Sequence, residues 1–126
     1  MMHKGVLPMI LRRAAAGLFC LFILLSFHTA AAAGTTEEIA FLLLFIEQSE
    51  CTFIRNGKHY DALEAREHIE KKYAFYKERI NSAEDFILYS ATKSSITGEP
   101  YRVICNGVNM ITSDWLNAEL AELETR

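Results

Sequence analysis

Hydrophobic residues fall into two regions of different character along the chain. Residues 14–27 form an almost continuous apolar run. From residue 35 onward, apolar and polar positions recur with the periods of helices and strands. The pattern therefore predicts an apolar leader followed by a folded domain.

The leader has the parts of a secretory signal peptide. Basic residues precede the apolar run, and small residues at positions 29–33 follow it. We predict that residues 1–33 are a signal peptide cleaved near Ala32 or Ala33, which directs residues 34–126 to the periplasm as one small exported domain. The apolar stretch is also about as long as a bilayer-spanning helix, so a retained membrane anchor is the alternative.

Four segments of the mature domain carry apolar residues at helical spacing. The first is the most apolar, so we expect it to be the central helix. The second extends to about Glu78, and the third covers about residues 83–91. The predicted N-terminal caps are a capping box in Thr35-Thr36-Glu37-Glu38, a second box of Asp61 and Glu64, the pair Asn81-Ser82, and Ser113. The inward positions predicted for the second helix are Leu63, Ile69, Tyr73 and Tyr76.

Two further segments, residues 51–55 and 101–105, are rich in strand-forming residues. Each is followed by Asn-Gly, the strongest short signal for a tight hairpin turn. Together with the helices, these strands predict an α+β fold. We expect about four helices and a small antiparallel sheet of two to three strands.

Cys51 and Cys105 are the two cysteines of the mature domain. In an oxidising compartment such a pair forms a disulfide, which we predict here. Antiparallel pairing with Cys51 opposite Cys105 would also place Tyr101 opposite Arg55. Two buried thiols too far apart to bridge are the alternative.

The net charge of the mature domain limits the classes of partner that it is expected to bind. Removal of Lys4, Arg12 and Arg13 leaves ten basic residues against 16 acidic ones, a net charge of about −6 for the mature domain. Nucleic acid and anionic membranes favour basic proteins, so we expect neither as a partner after signal cleavage. An envelope protein or a peptide fits better. The sequence predicts no cofactor and leaves the oligomeric state open.

Four blocks of sequence resemble the YfeK-like family, small exported bacterial proteins classed as a domain of unknown function. The resemblance covers about residues 37–120. It implies a periplasmic location and a shared fold but no activity, and the cysteine pair is not a uniform feature of that family. The blocks are Phe53-Ile54-Arg55-Asn56-Gly57, Glu64-Ala65 with His68 and Lys72, Ala83-Glu84-Asp85-Phe86-Ile87, and Ser94-Ser95-Ile96-Thr97-Gly98-Glu99-Pro100-Tyr101.

Polar residues of these blocks define a candidate site. Strand pairing would bring the loop before Tyr101 toward Arg55, and the helix that carries His68 starts six residues after Arg55. A guanidinium can hold a carboxylate in two parallel hydrogen bonds. Glu64, Glu84 or Asp85 could be that partner of Arg55 in a purely structural role. The candidate binding residues are Arg55, Asn56, Glu64, His68, Lys72, Ser94, Ser95, Thr97 and Tyr101.

The same residues suggest two chemical alternatives. Glu64 and His68 could supply two metal ligands, with His59 as a third, but no H-E-x-x-H signature is present and we predict no metal site. Ser94 or Ser95 could act as a nucleophile with His68 as base, although no G-x-S-x-G elbow is present.

The sequence favours a non-enzymatic binding or interaction module for a peptide or small anionic ligand. The alternative is a small envelope hydrolase or transferase that uses His68 with Ser94 or Ser95.

Overall fold

The computed structural model describes residues 34–126, which form four α-helices and four β-strands. The helices are α1 (Thr35–Gln48), α2 (Ala62–Tyr76), α3 (Ala83–Ser90) and α4 (Thr112–Glu124). The strands are β1 (Thr52–Arg55), β2 (Lys58–Tyr60), β3 (Arg102–Cys105) and β4 (Val108–Ile111). A 3-10 turn, Lys77–Arg79, follows α2. The predicted α+β class is confirmed, whereas the predicted signal peptide lies outside the described residues.

The sheet is antiparallel and has the order β2-β1-β3-β4. It consists of two hairpins, and both Asn-Gly turns have positive φ at each central residue, 52° and 74° in the first and 50° and 77° in the second. These angles are typical of the type I′ turn that Asn-Gly predicts. The second strand of each hairpin makes the sheet larger than the two or three strands expected. Strand β2 was missed because its first two residues are polar and exposed, so it lacks an apolar alternation.

The register between β1 and β3 is the predicted one. Phe53 pairs with Val103, and a disulfide joins Cys51 to Cys105 at one end of the two strands, with their Cα atoms 4.8 Å apart. The same register places Arg55 opposite Tyr101 at the other end. The predicted disulfide is therefore present, and the strand ends that carry the candidate site are aligned.

Helix α1 is the central helix of the core, as predicted. Four of its apolar side chains are buried, and it packs against the other three helices. One face of the sheet closes the core through Phe53 and Val103. The larger buried side chains are Ile39, Leu42, Leu43, Ile46, Phe53, Ile69, Phe86, Ile87, Val103, Leu116 and Leu120.

Two of the four predicted caps are confirmed and two are wrong. Asp61 and Glu64 form the reciprocal capping box of α2, and Ser82 caps α3. Helix α1 instead uses Gly34 as its N-cap, because Thr35 already has helical geometry. Ser113 is not a cap, because β4 runs directly into α4 and the helix begins at Thr112.

Aromatic residues of α2 are less buried than their spacing suggested. Ile69 is buried, Tyr73 and Tyr76 are half-buried, and Leu63, predicted to face inward, is 52% exposed. Leu63 lies on the first turn of the helix, where the small residue Ala62 packs inward instead. Among residues 34–126, no helix is long and apolar enough to cross a membrane.

Candidate ligand-binding site

Three side chains lie in a row across one end of the sheet. Arg102 pairs with both Ile54 and Ile111, so the next residue position on each strand aligns Arg55, Tyr101 and Thr112. The backbone N–H of Thr112 donates to the Tyr101 carbonyl at 2.9 Å, which continues the ladder by one step. Residues directly opposite in an antiparallel sheet point to the same face. The row therefore faces the helices, and Tyr101 lies in its middle.

Helix α2 brings the remaining polar groups above this row. Glu64, His68 and Lys72 recur every four residues and so lie along one face of the helix. The capping box fixes the start of α2, where the Glu64 carboxylate accepts from the Asp61 backbone N–H at 3.1 Å. The two residues farther along the helix reach Tyr101: His68 Nε2 lies 3.0 Å and Lys72 Nζ 3.2 Å from its hydroxyl oxygen.

Arg55 completes the network from the sheet side. Its Nη1 atom lies 2.8 Å from His68 Nδ1 and 3.0 Å from Nε2, and its Nη2 atom donates to the Tyr60 hydroxyl at 3.1 Å. A guanidinium has five N–H donors and no acceptor, so His68 must present a lone pair and be neutral. Burial, and then the charges of Arg55, Lys72 and Lys71, lower the pKa of His68 to about 4.

The shorter of the two Arg55 contacts, to Nδ1, favours the tautomer of His68 that carries its proton on Nε2. With Nδ1 of His68 accepting from Arg55, the Nε2–H of the ring donates to the Tyr101 oxygen. Lys72 donates to the same oxygen and, at 2.7 Å, to the Lys93 carbonyl. Burial raises the pKa of Tyr101, which keeps the phenol protonated, and burial likewise lowers the pKa of Lys72. In this tautomer Tyr101 accepts from both His68 and Lys72 and keeps its own O–H available as a donor.

The cations of this network are not neutralised by salt bridges. Within residues 34–126, no carboxylate lies within 4.0 Å of Arg55 or Lys72. The expectation of Glu64, Glu84 or Asp85 as the partner of Arg55 is therefore wrong. The carboxylates of Glu64 and Asp85 instead accept backbone N–H groups at helix starts. Arg55 has a neutral imidazole and a phenol as partners.

A pocket of about 290 Å³ opens beside this network. Arg55, Tyr60 and His68 contribute its polar wall, and buried Phe53 and Ile69 contribute an apolar one. The exposed side chains of Glu64, Glu67 and Lys71 also line it. Buried Tyr101 and Thr112 complete the lining with Ile54 and Ala65.

A second polar cluster holds the loop before β3. Asn56 Nδ2 donates to Ser94 Oγ at 3.2 Å, and Thr97 Oγ1 donates to Asn56 Oδ1 at 2.6 Å. Ser94 is buried, and its hydroxyl also accepts from the backbone N–H groups of Ile96 and Thr97. Ser95 is exposed and belongs to neither cluster. In the described part of the chain, His68 makes no hydrogen bond to either serine; its partners are Arg55 and Tyr101.

The structure thus divides the nine candidate residues. Arg55, His68, Lys72 and Tyr101 form one network, and Glu64 lies at the pocket rim. Asn56, Ser94 and Thr97 form a separate clamp on the loop, and exposed Ser95 belongs to neither group. Four of the twelve lining residues were predicted as part of the site, and the other eight were missed: Phe53, Ile54, Tyr60, Ala65, Glu67, Ile69, Lys71 and Thr112. The strand register of the first hairpin predicts Tyr60, because it pairs with Phe53. Thr112 carried no signal, since its position depends on the missed strand β4.

No cluster of three or more metal-ligating side chains occurs among residues 34–126. His59, considered as a third ligand, is exposed on the edge strand β2 and pairs with Ile54. That backbone position is separate from the network around His68.

The fold and the network define an α+β protein with a polar pocket, lined by Arg55, at one end of its sheet. The chain belongs to a family of unknown function (DUF5329), whose model matches residues 33–124. It is also 40% identical over 62 residues to the uncharacterized protein YfeK of Salmonella typhimurium. That match includes 49% of this chain and 52% of the relative, so the chain spans about half the length of the curated relative. These findings show a YfeK-like family of unknown function. No solved structure matches the chain.

Proposed function

We propose that this protein is a non-enzymatic periplasmic binding module whose pocket holds a small ligand through a carboxylate. The observation that carries the proposal is the pairing of Arg55. Its guanidinium lines a pocket, contacts a neutral histidine and a phenol, and has no acidic partner within 4.0 Å in the described residues. A half-buried cation without a counter-ion favours an anionic ligand.

The donors available at the pocket suit a carboxylate. His68 and Tyr60 use two of the five N–H donors of Arg55, which leaves three for a ligand. Tyr101 retains an O–H donor beside them. Two or more donors in one region can bind both oxygens of a carboxylate, whereas a carbonyl group offers only one oxygen.

The rest of the lining favours an amphipathic anion. Phe53 and Ile69 supply apolar surface within the pocket, while Glu64 and Glu67 lie exposed at the rim. Rim carboxylates disfavour ligands with several negative charges. A monocarboxylate with an apolar body therefore fits best, and the C-terminal residue of a peptide has the same chemistry.

The proposed location is supported by the leader of the sequence and by the disulfide. Disulfides persist in oxidising compartments and are rare in the cytosol. The alternative, a hydrolase or transferase, would need a hydrogen bond between His68 and a serine hydroxyl, and residues 34–126 contain none. Ser94 is instead bound by Asn56 and by backbone N–H groups.

Calorimetric titration of residues 34–126 with hexanoate tests the proposal. Hexanol, which lacks the charge, is the comparison ligand. We expect hexanoate to bind and hexanol to bind at least about tenfold more weakly, because a charge-assisted hydrogen bond contributes roughly 1.5–3 kcal/mol.

Arg55→Gln should weaken the binding of hexanoate by about the same factor. Arg79 is an exposed arginine in the 3-10 turn, and Arg79→Gln should leave the affinity for hexanoate unchanged. Melting curves of both variants show whether they fold. If Arg55→Gln does not fold, Arg55→Lys, which keeps the charge but loses the paired donors, takes its place. Equal binding of hexanoate and hexanol, or an undiminished affinity in a folded Arg55 variant, would contradict the proposal.

A further inference from the structure

One buried polar group in the pocket has no hydrogen-bond partner within residues 34–126. The hydroxyl of Thr112 is buried, and Thr112 Oγ1 makes no hydrogen bond among the described residues. Thr112 also lines the pocket that Arg55 lines. Buried hydroxyls are usually hydrogen-bonded, and leaving one unpaired is unfavourable. A partner supplied by a ligand would remove that cost.

The position of Thr112 relative to Arg55 sets the shape of such a ligand. The two residues lie on either side of Tyr101 in the row across the sheet end, so two strand spacings, about 10 Å, separate their Cα atoms. The long side chain of Arg55 covers part of that distance, while the threonine side chain is short. A ligand that contacts both must therefore extend beyond its carboxylate by several bonds.

The surface between the two contacts is apolar and aromatic. Phe53, Ile69 and the ring of Tyr101 are buried and line the same pocket. They offer no charge to a ligand body, so the segment between the two polar ends of the ligand should be hydrocarbon.

We propose that the ligand is a medium-length carboxylate with an apolar body and a hydrogen-bonding group at its far end, and that Thr112 selects for that group. This inference rests on the proposed function of the pocket, since Arg55 holds the carboxylate. Thr112 adds recognition of the opposite end. The class includes hydroxy- and oxo-carboxylates and excludes simple fatty acids as the preferred ligands.

A matched pair of probes tests this inference. Hexanoate and 6-hydroxyhexanoate share the carboxylate and the chain, and they differ in one terminal hydroxyl. We expect the hydroxylated probe to bind about three- to tenfold more tightly, because a neutral hydrogen bond contributes about 1 kcal/mol.

Thr112→Val should abolish this preference while leaving hexanoate affinity nearly unchanged, because valine has the shape of threonine without its hydroxyl. It should not destabilise the free protein, since it removes an unpaired buried polar group. Thr112→Ser keeps the hydroxyl and should keep the preference. Ser90→Ala is the control, because Ser90 Oγ is also buried without a partner but lies outside the pocket lining.

The outcomes separate this inference from the proposed function. If hexanoate binds through Arg55 but the terminal hydroxyl gives no gain, or Thr112→Val keeps the gain, the selection by Thr112 is refuted and the carboxylate site stands. A clear loss of stability in Thr112→Val would also refute it, because the hydroxyl would then have a structural partner. If neither probe binds, both proposals fail together.

Discussion

Arg55 donates a hydrogen bond to His68 across 2.8 Å, and only the neutral imidazole can accept it. The first prediction concerns the protonation of this ring. Its pKa should lie near 4, well below the ordinary value of 6.5, because burial and three neighbouring cations disfavour the imidazolium. Imidazole chemical shifts followed by NMR against pH measure it. His59 is exposed and serves as the reference ring in the same spectra.

Arg55→Gln should raise the pKa of His68 without restoring it to 6.5. The substitution removes one nearby charge, while burial, the largest cause of the shift, remains. An unchanged pKa in a folded variant would show that the guanidinium and the imidazole do not interact in solution.

The second prediction is the pH dependence of stability. The unfolded chain binds a proton at His68 below about pH 6.5, whereas the folded protein does so only below about pH 4. Stability from this group is therefore fully present above pH 6.5 and is lost as the pH falls toward 4. Solvent screening of the partly exposed ring reduces the effect to about 1–2 kcal/mol.

Denaturant unfolding at several pH values measures this loss. His68→Gln keeps a polar side chain that does not titrate, so its stability should depend less on pH across that window. A wild-type and a variant protein with parallel pH profiles would contradict the prediction.

The third prediction is that the disulfide stabilises the domain strongly. Cys51 and Cys105 are 54 residues apart in sequence, and closing a loop of that length in the unfolded chain contributes about 4 kcal/mol on the chain-entropy estimate. The double variant Cys51→Ala/Cys105→Ala should lose most of this free energy of unfolding. Non-reducing mass spectrometry of freshly isolated protein checks the bond itself, and two alkylatable thiols would refute it.

The fourth prediction distinguishes two contributions of Asn56 to stability: its side-chain hydrogen bonds to the loop and its place in the hairpin turn. Asn56→Ala removes both side-chain hydrogen bonds that Asn56 makes to the loop, at Ser94 and Thr97. It should cost about 1–3 kcal/mol and speed amide exchange at residues 94–99. Asn106→Ala is the matched control, because Asn106 has nearly the same backbone angle, φ 50° against 52°, in the other hairpin. Equal losses in the two variants would mean that only the turn matters.

The fifth prediction concerns export. We expect the exported protein to begin near Ala33 or Gly34 and to be recovered from the periplasm without detergent. Intact mass of the isolated protein measures the cleavage point. A mass that includes residues 1–32 would refute cleavage of the leader.

Local signals in the sequence predicted much of the fold. Asn-Gly placed both hairpin turns, and the strand register followed from pairing Cys51 with Cys105. The same register predicted that Tyr101 would lie opposite Arg55. These signals work because turn geometry and strand period depend on a few adjacent residues.

The parts of the site that the sequence did not predict depend on contacts between residues distant in sequence. Strand β4 was not predicted, so nothing placed Thr112 beside Tyr101. The charge of the site was also misjudged, because several carboxylates seemed available to Arg55. The Glu64 carboxylate instead accepts the Asp61 backbone N–H in the capping box of α2. Sequence spacing alone does not show whether such a carboxylate pairs with this local N–H group or with the distant guanidinium of Arg55.

The Cys51–Cys105 disulfide also constrains the strand register on which the pocket depends. It joins β1 to β3 at one end, and Arg55 faces Tyr101 four residues away at the other. A slip of one residue between these strands would turn Arg55 to the opposite face of the sheet and dismantle the network. Once the sulfurs are joined, such a slip requires breaking a covalent bond. Reduction of the disulfide therefore removes a covalent constraint on the register that aligns Arg55 with Tyr101.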